Sequence, residues 1–300
     1  MDWSRQTRSR GLDLHSNAGT ILKRHSQEEA VRRYYGTLFR VWGRQHWWPA
    51  HTRFEMIVGA YLTQNTAWTN VERALRNLRA GGILSPAGIR RTPLQELEMM
   101  IRPAGYFRQK AKRLKIFVSF LDERYRGSLI RMFSEPTAKL REELLSLNGI
   151  GPETADSILL YAGNHSVFVV DAYTRRVLAR HEVLPEKADY EEIRELFERA
   201  LGPVAVETFQ AAPQAGASSL APPVFRGSPH APSPVSKAKR TALAQVYNEM
   251  HGLIVRVGKH YCLKSKPRCE ECPLAQYLPL KSSESEPSIV DSHPPARIRK

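Results

Sequence analysis

Acidic residues are few in this 300-residue chain, cysteines fewer, and long apolar runs are missing. A bilayer span needs about 20 consecutive apolar residues, and no such run exists. Residues 1–19 also lack the apolar core of a secretory signal. A soluble cytoplasmic protein with no membrane association is therefore expected. Alternating strand patterns are scarce too, the best candidate being Ser166–Val170, which leaves an all-α fold as the expectation. The three cysteines, Cys262, Cys269 and Cys272, lie close together near the C-terminus. An odd, clustered set excludes a disulfide framework and points to a metal site in a reducing compartment. Acids number 30 against 45 lysines and arginines, a net charge of +15 at pH 7. That imbalance favours a polyanionic partner over a basic protein that is merely soluble.

Helical periodicity runs from about Gln27 to Phe209. Phe54, Ile57, Val58, Tyr61 and Leu62 are spaced for one buried helix face, and Phe107, Ala111, Leu114, Phe117, Val118 and Leu121 for another. On the second helix Arg108, Lys112 and Lys115 share a different face. No acid interrupts residues 102–115, which hold six basic residues. A solvated face and a DNA-facing one are both consistent with that run. Residues 1–26 are polar and weakly patterned, a loose, disordered arm. Residues 210–236 are rich in Pro, Ala, Ser and Gly, a composition that cannot bury a core and predicts a disordered insert. Helical pattern resumes over about 239–259, and a polar, disordered tail fills 281–300.

The most informative stretch is residues 137–176. Leu140, Leu144 and Leu147 line a first helix, and Leu147-Asn148-Gly149-Ile150-Gly151 forms a tight turn. Pro152 then suits the first position of a second helix. Gly149 and Gly151 permit conformations closed to other residues and allow close backbone approach. The exposed N–H groups of such a turn make a phosphate site that positions DNA without reading its sequence. The alternative is an ordinary glycine turn between packed helices. Twenty residues after Gly151 stands Asp171, at the end of the apolar run Val167–Val170. Asp is a favoured helix N-cap. A carboxylate at the mouth of a cleft also stabilises the positive sugar that forms as an N-glycosidic bond breaks, and it orients water. One residue can do both.

The hairpin LNGIGPETAD followed by VVDAYTRR resembles the helix-hairpin-helix DNA glycosylases of the endonuclease III superfamily. The resemblance covers about residues 28–208 and 245–278. WWPA at 47–50, YLTQNT at 61–66 and RPAGYFRQKAKRL at 102–114 are most similar to the endonuclease III-like 3-methyladenine glycosylase branch. It implies two all-α lobes with DNA between them: residues 54–165 as a helical barrel carrying the hairpin, and 27–53 with 166–280 as the second lobe. A base flips from the duplex into a pocket there, at a cost of a few kcal/mol. The implied partner is double-stranded DNA bearing a damaged base, met by a monomer in the nucleoid of a bacterial cell. Leu147, Gly149, Ile150, Gly151 and Lys112 would face the DNA, and Gln64 and Asn65 would fill the gap in the duplex or touch the opposite strand.

Bifunctional members carry a lysine two residues after the last hairpin glycine, whose amine forms a Schiff base with the sugar. Glu153 stands there instead, and no lysine occurs between Leu140 and Arg176. This predicts a monofunctional glycosylase in which Asp171 activates water. Glu153 itself suits the first turn of a helix and has only a possible pocket role. By the same resemblance Trp47 or Trp48, with Pro49, stacks on a flipped base, and an electron-poor alkylated purine suits an aromatic face. The spacing Cys262-x6-Cys269-x2-Cys272 matches the first three ligands of the family's cluster loop (259–278), but Leu278 occupies the fourth position. A [4Fe–4S] cluster normally takes four thiolates. The open alternatives are a three-cysteine or labile cluster, zinc on three cysteines and a histidine, or a loop without metal. None is needed for the chemistry. Competing functions are a glycosylase-lyase acting on oxidised pyrimidines and a catalytically silent DNA-binding protein.

Overall fold

The computed structural model describes residues 9–48, 50–202 and 232–279, with side chains described from Thr20 onward. Pro49, insert residues 210–231 and the tail 281–300 lie outside the described residues. The fold is all-helical. No strand occurs among the described residues.

The helices form two groups. In one, α1 (Ser9–Trp42), α10 (Ala172–Arg180), α11 (Tyr190–Ala200) and α12 (Ala242–His260) pack together. The other runs through α2 (Arg53–Thr63), α3 (Trp68–Ala80), α4 (Pro86–Arg91), α5 (Leu94–Met100), α6 (Phe107–Tyr125), α7 (Leu129–Met132), α8 (Thr137–Leu145) and α9 (Pro152–Ser157). A π-helical turn, Ile158–Gly163, continues α9 and touches both α2 and α12, joining the groups. Each group has one helix buried on nearly every side. In α2 the residues from Phe54 to Leu62 are all buried, and in α12 those from Val246 to Gly258. A helix buried on nearly every side is the central one of its group, even where, as in α12, it takes Asn248, Glu249, His251 and Arg256 inside with it.

Local chemistry sets the boundaries. Thr52 caps α2 through Glu55 N at 3.0 Å. Glu55 reaches back to His51 N and pairs with Arg79 at 2.6 Å, tying α2 to α3. The amine of Lys110, itself buried, donates to Leu62 O, Thr66 Oγ1 and Ala104 O, which joins the loop after α2 to the turn before α6. Burial and nearby Arg113 push that amine down to about 8.

The structure corrects three sequence expectations. Helix α1 begins at Ser9, where a loose arm was expected over 1–26. Buried Val31, Tyr34 and Leu38 anchor its later turns, and an anchored helix extends at little cost because only nucleation is expensive. Ile21 and Leu22 stay exposed. The end of the predicted insert is packed: Val235 is buried and its N–H meets Ala50 O at 3.3 Å. The strand candidate Ser166–Val170 forms no strand, and side chains take two of its amides. Phe168 N donates to Glu198 Oε1 and Val170 N to the Tyr190 hydroxyl.

Candidate functional site

A cleft of about 1100 Å³ opens between the two helix groups. It gathers Trp47, Trp48, Gln64, Asn65, Gly149, Ile150, Gly151, Glu153 and Asp171 from four separate stretches of chain. Leu147 does not line the cleft and packs, partly buried, against the core.

The hairpin forms one wall. Gly149 has φ +84, a conformation that favours glycine, and a Cβ there would stand 2.0 Å from Arg113 Nε and displace that side chain. Gly151 differs: a Cβ would meet nothing within 4 Å, and its extended backbone caps α9. Gln64 supports this turn from below. Its Nε2 donates to Gly149 O and Thr154 Oγ1, both at 3.0 Å, and its Oε1 accepts from Arg113 at 2.8 Å. The residue expected to reach into a duplex is thus bonded within the protein. Asn65, with φ +50, is the exposed member of the pair on the rim.

Asp171 sits at the head of α10. Its Oδ1 accepts from Thr174 N at 2.8 Å and Thr174 Oγ1 at 2.9 Å, a regular N-cap, while Oδ2 lies 3.5 Å from His251 Nε2. Burial pushes this carboxyl up, but His251 and the Thr174 donors outweigh burial and hold it below the ordinary aspartate range. A buried chain fixes the segment leading to it. Arg141 grips fully buried Asp156 through two hydrogen bonds, Asp156 accepts from the Tyr190 hydroxyl, and that hydroxyl accepts from Val170 N.

Glu153, on the first turn of α9, opens into the cleft. Crowding by the cleft walls, and then the Asp171 charge, push its carboxyl up to about 7, against the pull of His251 and Arg175. The two carboxyls thus have opposite tendencies within one cleft, the pattern that separates a charged group from a proton-bearing one.

Both tryptophans line the cleft, Trp48 the more deeply buried of the two. Trp48 is buried among Trp68 and Tyr161, with centroids at 5.2 and 5.5 Å. Trp47 is half-buried, edge-on to His251, with the Lys259 amine 5.7 Å from its ring centroid. Lys112 is exposed on α6 and does not line the cleft. Lys115, expected on the same basic face, is committed elsewhere: its amine caps α4 through the carbonyls of Ile89, Arg90 and Thr92. His251 and Lys259 escape sequence reasoning because helical spacing alone does not say which side of α12 faces a cleft, and Tyr161 of the π turn and Tyr190 of α11 escape it because their partners lie far away in sequence.

The three cysteines and Leu278 line one small pocket beside Arg180 and His181, far smaller than the cleft. Cys262 is buried, and burial followed by the other two thiols pushes Cys272 up to about 11. Leu278 offers no donor atom. Among the described residues no group of three His, Cys, Asp or Glu side chains is arranged to hold a metal ion. The donor set therefore does not fit a four-ligand cluster, and neither His251 nor His260 completes it. Two arginines of α10 hold the loop instead. Arg176 donates to Cys262 O at 2.6 Å and Gly258 O at 3.1 Å. Arg180 donates to Cys262 Sγ at 3.1 Å and to the carbonyls of Leu263 and Lys264.

With this geometry in view, comparison with known proteins is specific. The model of the HhH-GPD superfamily of base excision DNA repair proteins matches residues 58–203. A Methanocaldococcus jannaschii protein carrying the name of a DNA repair glycosylase is 41% identical over 251 residues, covering 83% of this chain and 96% of its own. The crystal structure of H. pylori 3-methyladenine DNA glycosylase (MagIII) bound to 1,N6-ethenoadenine superposes with a TM-score of 0.60 at 28% identity, over 78% of this chain and 97% of that one. A trapped endonuclease III–DNA covalent intermediate superposes with a TM-score of 0.59 at 19% identity, over 84% and 95%, a likeness of fold.

Proposed function

The chain belongs to the HhH-GPD superfamily of base excision DNA repair proteins, and from that premise we propose that it is a monofunctional DNA glycosylase acting on an alkylated purine flipped out of duplex DNA. The observation that carries this reading is the pair of cleft carboxyls: Asp171, capped and held charged, opposite Glu153 where bifunctional relatives would place an amine. In the reaction, Oδ2 of Asp171 stabilises the positive charge that grows on the sugar as the N-glycosidic bond breaks, and it orients the water that adds to C1′. The base departs with the bonding electrons, water supplies the hydroxyl to C1′, and the water's proton passes by way of Asp171 to the departing base or to solvent. Trp47 provides an aromatic wall for an electron-poor base. The hairpin amides and the +15 net charge hold the phosphates. The likeness to MagIII supports an alkylated purine as substrate.

A lyase remains the competing reading because of one feature: Lys259 brings an amine to the cleft from α12, a part of the chain remote from the hairpin. The test is base release from methylated duplex DNA by the wild type and by Asp171→Asn, with borohydride trapping alongside. Free 3-methyladenine, intact abasic strands and no trapped adduct are expected from the wild type, with release lost in the variant. An adduct that disappears in Lys259→Ala would transfer the assignment to a glycosylase-lyase. DNA binding without release of any base would leave a silent binder.

A further inference from the structure

His251, which lines this cleft, and Tyr161, buried behind it, have no part in the reaction as written. His251 stands on α12 and is 4% exposed. Its Nδ1 meets the Tyr161 hydroxyl of the π turn at 2.5 Å, and its Nε2 faces Asp171 Oδ2 at 3.5 Å. That Nε2 is buried with no hydrogen-bond partner among the described residues. A buried polar atom without a partner is costly unless the site uses it. We propose that His251 is the positioning residue for Asp171, fixing Oδ2 in the cleft through a Tyr161–His251–Asp171 chain. This inference rests on Asp171 being the working carboxylate.

The chain follows from how the oxygens of Asp171 are shared. Oδ1 is occupied by two donors from Thr174. Oδ2 has no such anchor, and a carboxylate held at one oxygen swings about it. When the Tyr161 hydroxyl donates to Nδ1, the imidazole proton resides on Nε2, directed at Oδ2. At 3.5 Å the contact is longer than a full hydrogen bond, and catalytic contacts of this kind tighten once substrate displaces solvent. Rings of Trp47, Tyr161 and Phe168 surround the imidazole and fix its plane. The titratable and charged groups around the chain are Tyr161 on the π turn, Glu153 on α9, Asp171, Tyr173 and Arg175 at the start of α10, Arg240 just before α12, and Lys259 on the same helix as His251. The π turn has a part in this: such turns recur at functional sites because the extra residue re-aims a side chain, and here Tyr161 lies within the turn.

The test uses His251→Leu, His251→Gln and Tyr161→Phe in the full chain. Three quantities are measured: single-turnover release of base from methylated duplex, affinity for duplex carrying a tetrahydrofuran abasic analogue, and titration of the Asp171 carboxyl by carbon-13 NMR without DNA. For His251→Leu the expected result is release slowed about 10- to 100-fold, the scale of a misplaced catalytic group. Affinity for the analogue should hold, and the Asp171 titration should move to higher pH. His251→Gln, which keeps an N–H donor, should recover part of both losses, and Tyr161→Phe should fall between. A purely structural histidine would not move the Asp171 titration selectively. Wild-type release rates in His251→Leu, or an Asp171 titration unmoved in all three variants, would overturn the inference. If His251→Leu does not fold, the Gln and Phe variants decide. If the wild type releases no base from methylated DNA, the substrate reading fails, and the titration alone still decides whether His251 sets the state of Asp171.

Discussion

Asp171 divides its work between two oxygens: one closes the end of α10 and the other is left for the cleft. The capping role and the proposed catalytic role therefore separate by substitution. Asp171→Asn keeps an acceptor for Thr174 and should fold while losing base release; capping changes of this kind cost about 1 kcal/mol when the acceptor is removed outright. Glu153 gives a pH prediction at the same scale. Its carboxyl holds a proton more tightly folded than unfolded. The folded state then binds more protons than the unfolded one between the ordinary glutamate range and pH about 7, so stability falls as pH rises through that window. Glu153→Gln removes that contribution. Thermal melts from pH 5 to 8 should show a shallower decline for the variant than for the wild type. Buried Glu249, also pushed up to about 7 by burial, contributes in the same sense and persists in both proteins, so the difference between the curves isolates Glu153. Parallel curves would mean that Glu153 titrates normally.

Among elements, the hairpin depends on a brace from outside its own sequence. Gln64 ends α2, Arg113 lies on α6, and together they hold the carbonyl of Gly149 and the hydroxyl of Thr154. Each such hydrogen bond contributes about 1 kcal/mol net. Gln64→Ala is expected to lower the melting temperature by a few degrees, at roughly 2–4 °C per kcal/mol for a chain of this size. It should also weaken binding to undamaged duplex, because the turn that presents its amides loosens. A residue acting only by insertion beside a flipped base would leave both quantities unchanged. The spacing of 61–66 marks Gln64 as polar and near a helix end. The hairpin it supports is 85 residues away in sequence, so no local pattern shows the brace.

For the molecule as a whole, the C-terminal cysteine loop is where sequence and structure part most clearly. The spacing of Cys262, Cys269 and Cys272 implies a cluster, yet Leu278 closes the set without a donor and arginines of α10 bind the loop's carbonyls and one sulfur. The loop is thus expected to keep its place without iron. Chelation should leave the melting temperature unchanged, whereas Arg180→Ala should lower it. Stoichiometric iron in the purified protein, with melting that falls on chelation, would restore the cluster.

The sequence by itself determined the all-α class, the hairpin with its Gly149, the cap at Asp171 and the absence of a lysine at 153. Each of these is a local matter of spacing, backbone conformation or side-chain chemistry. Only the tertiary structure decided that Gln64 braces rather than reaches out, that Lys115 is spent on α4, that α1 continues back to Ser9, and that His251 and Lys259 arrive at the cleft from α12. Those outcomes depend on which helix faces meet across long separations in sequence, and packing settles that only when the whole chain is folded.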